Sequence, residues 1–140
     1  MSDTTIAVTL ISLRAAQELI AEALAHAQAQ GWAVAACVVD PWGAIVASAR
    51  MDGVTPAILE FATDKAYTAA LGKSTRAFAE RMSSSPDLTL GLQTRPRLCA
   101  WEGGLPIYTD QTLIGAIGVS GAAGHEDAAC AEHAMRVVGL

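Results

Sequence analysis

Charge is scarce in this chain of 140 residues: only 16% are Asp, Glu, Lys or Arg, the formal net charge is -5, and Lys and Arg never form a run. Nucleic-acid binding needs a basic patch or stripe, so that class of partner is excluded. Cysteine is equally sparse. Cys37, Cys99 and Cys130 lie far apart, without the paired spacing of a zinc or redox motif, and read as small buried apolar residues. Long apolar runs are missing from the first thirty residues, where Arg14, Glu18 and Glu22 recur at helical spacings. A signal peptide and a membrane span are therefore not expected, and the cytoplasm is the expected location. Repeats and low-complexity linkers are also absent, so residues 1–140 are expected to form a single domain, long enough to bury a core without staples. What the chain has in quantity is apolar side chains, 52% of the total. A surface this short of charge predicts a homo-oligomer, with part of it covered by another subunit.

The apolar periodicity predicts a helix over residues 9–30, capped by Thr9 or Ser12 and closed by Gly31. His26 lies just off its apolar stripe, either as a half-exposed histidine at the carboxyl end of the helix or as a ligand. Two β-rich runs, Trp32 to Val39 and Ala44 to Ala49, flank the turn Asp40-Pro41-Trp42-Gly43 and predict a hairpin that ends at Arg50-Met51-Asp52-Gly53. Arg50 is read either as a salt-bridge partner for Asp52 or as a carboxylate clamp. Pro56 to Gly72 reads as a second helix whose small apolar face is interrupted by Lys65. A lysine there must snorkel, pair with a carboxylate, or sit in a pocket with a lowered pKa. A further helix runs from Ser74 or Thr75 to about Met82, a helical turn is expected at Leu88 to Leu92, and Arg95 to Trp101 reads as a strand.

The richest stretch follows. Gly103-Gly104 leads into Leu105 to Tyr108, a polar turn at Thr109 to Thr112, and a strand from Leu113 to Val119, which predicts a second hairpin. Gly115, Gly118 and Gly121 recur every third residue, which signals close approach by a helix, a subunit or a ligand. Ser120 to Gly124 then opens a last helix, His125 to Val138, where backbone N–H groups can converge on an anion. His125 and Glu126, with Lys65, are candidates for proton transfer or covalent chemistry on a small acid; Arg50, Asp52, Gly103, Gly104 and Ser120 are candidates for holding it.

Taken together, Val38-Val39-Asp40-Pro41-Trp42-Gly43, Arg50-Met51-Asp52-Gly53, Lys65-Ala66-Tyr67-Thr68-Ala69-Ala70, Gly103-Gly104-Leu105-Pro106-Ile107 and Ile114 to Ala122 resemble the GlcG/HbpS-like family, in one order over nearly the whole chain. That family includes haem-binding proteins and the C-terminal domain of PduO-type corrinoid adenosyltransferases. The resemblance implies an α/β (α+β) fold, a profilin-like sandwich with a five-stranded antiparallel sheet flanked by helices, assembled into homo-oligomers, often octamers. It also implies a small-molecule ligand, either haem, with His26 as the iron ligand, or a small organic acid; no other cofactor is expected. Members occur beside catabolic enzymes, so a cofactor-independent isomerase, hydratase or C-C hydrolase acting through Arg50, Lys65 and His125 is the alternative. The chain departs from the family pattern after Ala122: where relatives commonly have an Asp-Glu pair at the start of the last helix, it has Glu126-Asp127-Ala128, preceded by His125. Against haem stands the small aromatic content, 5%, for lining a macrocycle pocket.

Overall fold

The computed structural model describes residues 3–140. Helix α1 (Leu13–Gln30) begins where Ser12 accepts the Ala15 N–H at 3.1 Å and ends at Gly31, with φ of 80°. It starts four residues later than its periodicity predicts because the preceding segment is claimed by the sheet: the Ile11 N–H donates to the Ile114 carbonyl at 2.9 Å, and Ile11 is buried. Strands β1 (Ala35–Val39) and β2 (Ile45–Arg50) form the first hairpin, its turn held by Asp40 Oδ1 accepting from the Trp42 and Ala44 amides. Then come α2 (Pro56–Ala69), α3 (Thr75–Met82) capped by Ser74, and α4 (Pro86–Leu92). Strands β3 (Gly104–Thr109) and β4 (Thr112–Ser120) turn on Asp110 and Gln111, both with positive φ. That is a two-residue turn whose twist suits the strands it joins. Helix α5 (Gly124–Val138) completes the described chain. None of the helices among the described residues is long and apolar enough to cross a membrane.

The sheet is antiparallel throughout, in the order β2-β1-β4-β3. The expected fifth strand, Arg95 to Trp101, is not formed, and the sheet has four strands among the described residues. The segment is pinned to α2 by side chains instead of a ladder. The Arg97 guanidinium lies 3.7 Å from the centre of the Tyr67 ring, and the Cys99 N–H donates to Thr68 Oγ1 at 2.8 Å. Pro96 contributes no N–H, which removes one donor from any ladder there.

Helices cover both faces. Ala36 and Val38 of β1 and Ile117 and Val119 of β4 pack on one core with Leu19, Ala23 and Ala27 of α1 and Cys130, Ala131 and Ala134 of α5. Ala35, Cys37 and Val39 face the other way, onto Ala62, Ala66 and Ala69 of α2. The alanines let α2 settle close to the sheet. Its nearest approach is at Gly118, where a Cβ would run into the Ala62 carbonyl and the Ala66 amide. Gly115 similarly faces the Val39 carbonyl and Ile11, so at these two positions the third-residue spacing serves packing.

Candidate functional site

Crossing the sheet at Gly118 brings Lys65 of α2 beneath the end of β4 and beside the first turn of α5. Its ammonium donates to the Val119 carbonyl and to Asp127 Oδ2, both at 2.9 Å. Lys65 is 1% exposed and Asp127 2%, so this is an ion pair withdrawn from water. The second Asp127 oxygen accepts the Ala122 N–H at 2.9 Å, which ties the β4–α5 connection to the pair. Burial pushes the Asp127 carboxyl above the usual range, and the Lys65 charge and hydrogen bond draw it back. Gly103, with φ of 134°, closes over the pair: a Cβ there would stand 3.0 Å from both Lys65 Nζ and Asp127 Cβ. The Gly104 N–H donates to Thr75 Oγ1 at 3.0 Å and fixes the entry into β3.

A cleft of about 330 Å³ opens beside the pair, with Ile58 and Trp101 as apolar walls and Ser120, Gly124, Lys65 and Asp127 among its polar lining. Trp101 meets the Phe61 ring edge-on at 5.2 Å. Glu126 turns back to accept the Ala123 N–H at 3.0 Å and so caps α5; Ala123 has no side-chain acceptor to return the bond. The His125 side chain is exposed.

Of the residues predicted from sequence, Lys65, Gly103, Gly104, Ser120, His125 and Glu126 thus gather around the β4–α5 connection. Arg50 and Asp52 stand apart from that cluster. Arg50 Nη1 donates to the Val54 carbonyl at 2.7 Å, and Asp52 lies exposed in the turn after β2, with no ion pair to Arg50 among the described residues. In the sequence Asp127 figures only in the departure from the family pattern at the start of the last helix. Its role depends on α2 and α5 meeting at one sheet end, which no local signal shows.

His26 belongs to the α1–α5 layer, across the sheet from α2. It is half-buried, its ring stacked on His133 of α5 at 4.6 Å between centres and meeting Trp32 edge-on at 6.0 Å. His133 Nε2 lies 3.7 Å from Glu22 Oε2. His133 escaped the sequence reading because 107 positions separate it from His26, and only the packing of α5 along α1 brings the rings together.

Comparison with known proteins places this fold. The family model described as haem degrading protein HbpS-like matches residues 11–136. The chain belongs to the HbpS-like family. Protein GlcG of Escherichia coli strain K12 is 35% identical over 112 residues, which span 79% of this chain and 81% of that protein. The crystal structure of HbpS superimposes with a TM-score of 0.90 at 29% identity, covering 100% of this chain and 98% of HbpS. That of the PduOC–haem complex gives 0.83 at 25% identity, covering 91% and 94%. Both the Lys65–Asp127 pair and the His26–His133 pair fall inside the HbpS-like span.

Proposed function

We propose that this HbpS-like protein binds haem, with His26 supplying the imidazole to the iron. One observation carries the reading: the His26 ring is held in place by His133 and Trp32, yet neither of its nitrogens makes a hydrogen bond among the described residues. A fixed imidazole with a free lone pair is an iron ligand in waiting. His133 Nε2 has Glu22 Oε2 at 3.7 Å, whereas no carboxylate oxygen lies within 4 Å of a His26 nitrogen among the described residues. Trp32 and the exposed Val137, one helical turn beyond His133, offer apolar surface for a macrocycle. The haem complex of the PduOC relative supports the same reading. Bound haem would contribute a redox-active iron whose potential and reactivity the protein sets through its ligand and surroundings. Haemin titration of the wild type is expected to give a Soret band. His26→Ala is expected to shift that band and weaken binding by about tenfold, the loss of one modest ligand bond. An unchanged spectrum and affinity in His26→Ala removes His26 from the iron, and no complex with the wild type overturns the function.

We further propose that the protein works as a homo-oligomer, the octamer being the form its family resemblance implies. The α1–α5 surface around His26 is open in the single chain. The extended segment before α1 also exposes Ile6 by 88%, with Val8 and Leu10 projecting alongside. Light scattering is expected to show an assembly at micromolar concentration; a stable monomer there contradicts it.

A further inference from the structure

We infer that the cleft at the β4–α5 connection is a second ligand site, separate from the haem-binding surface, and that its occupant is a small carboxylate with a short apolar body. Two kinds of donor stand there without acceptors, the Ser120 hydroxyl and the first amides of α5. Ser120 is only 5% exposed and lines the cleft, yet its hydroxyl makes no hydrogen bond among the described residues. Every fully enclosed side-chain nitrogen or oxygen among the described residues has a partner, so the Ser120 hydroxyl has its open side on the cleft. The first two amides of α5, at Gly124, which lines the cleft, and at His125, which follows it, are likewise unpaired, whereas those of Ala122 and Ala123 are taken by Asp127 and Glu126.

An anion suits this arrangement better than a neutral polar group. The unpaired helix amides can only donate, the Ser120 hydroxyl can donate as well, and the amino end of a fifteen-residue helix adds its partial positive charge against the nearby Glu102 and Asp127. Asp127 also lines the cleft, but both of its oxygens are occupied and its charge is matched by Lys65. Ile58 and Trp101 give the rest of the ligand an apolar wall, and a cleft of about 330 Å³ restricts it to a small molecule. A carboxylate has the lone pairs to take the Ser120 hydroxyl on one oxygen and helix amides on the other.

The test is a titration of the full chain, free of haemin, with butyrate, pyruvate and benzoate, followed by amide resonances. Saturable shifts at Gly124 and His125 are expected with at least one of these acids, and butyramide, the uncharged isostere of butyrate, is expected to bind at least about tenfold more weakly. Ser120→Ala is expected to weaken binding about tenfold without moving the melting temperature, because the hydroxyl bonds to nothing in the unliganded chain. Gly124→Pro removes one donor at a helix position where proline is tolerated. Ala123 already has the extended backbone (φ -69°, ψ 154°) that a following proline requires, but the added Cβ would stand 3.1 Å from Glu102 Cβ, so this variant is read for affinity only where its melting temperature matches the wild type. The inference is overturned if none of the acids shifts these amides at millimolar concentration, if chloride shifts them equally, or if Ser120→Ala binds like the wild type. Haemin binding plays no part in these readouts, so the two proposals stand or fall separately.

Discussion

Asp127→Ala is expected to cost about 3–5 kcal/mol of stability, the usual consequence of removing one partner from a buried ion pair. The variant leaves the Lys65 ammonium shut away from water with a single carbonyl acceptor, and it orphans the Ala122 N–H as well. The loss comes from the stranded groups more than from the attraction itself, because taking the charges out of water had already consumed most of the Coulombic gain. A double variant, Lys65→Met with Asp127→Leu, removes both charges and keeps apolar volume, and it is expected to recover at least about half of the loss. Lys65→Met alone is expected to destabilise, since it leaves the Asp127 carboxylate with only the Ala122 amide. Urea denaturation of the wild type, Lys65→Met, Asp127→Leu and the double variant closes the cycle, with Asp127→Ala measured beside it. A loss below about 1 kcal/mol for Asp127→Ala would mean that the pair is hydrated in solution, since only an exposed pair is worth so little.

The elements that sequence patterning placed well are those whose signals are local. Ser12, Ser74 and Gly31 cap or close helices as their residue types suggest, and Asp40 builds the first hairpin turn from its own side chain. The misplacements have a common physical cause. Residues 9–11 carry helical spacing but are drawn to the sheet through Ile11 and Ile114, and Arg95 to Trp101 has strand-like composition but is held by Thr68 and Tyr67 of a helix about 30 positions earlier. In both cases a distant partner offered the backbone a better set of contacts than its own neighbours did. The four-stranded count follows from the second of these.

The site was legible in a similar, partial way. Lys65 stood out because a charge on a small apolar face demands an explanation, and the glycine-rich stretch stood out because glycine in a strand marks close approach. The partner that resolves Lys65 could not be read, since Asp127 satisfies every local rule for an acidic residue in the first turn of a helix. His133 was hidden for the same reason: on its own helix it is an ordinary half-exposed histidine, and it gains meaning only when α5 lies along α1. Arg50 illustrates the reverse case. Its position at a strand end suggested a clamp or a salt bridge, and in the structure its guanidinium closes the loop that follows by bonding to Val54.

Gly118→Ala is expected to lower stability by about 3 kcal/mol, at the upper end for overpacking, and to depress the melting temperature by roughly 10 °C in a chain of this size. A methyl group at this position meets the Ala62 carbonyl and the Ala66 amide, which are backbone and cannot rotate away, so α2 has to move off the sheet. Movement is costly here because Ala62, Ala66 and Ala69 are packed on β1 and β4 with no side-chain length to spare. It also reaches the ion pair: the Lys65 Cβ lies 3.1 Å from the added carbon, so lifting α2 draws the ammonium away from Asp127 and from the cleft. Gly91→Ala provides the control, since its Cβ would meet nothing within 4 Å and the residue sits inside α4. There the same chemical change is expected to be neutral or to stabilise by up to about 1 kcal/mol, through helix propensity alone. Opposite signs for the two glycine substitutions in one thermal-melting series are the signature of close helix-on-sheet packing at Gly118. If Gly118→Ala melts within a degree or so of the wild type, α2 has room to spare, and the packing account of the glycine-bearing strand fails.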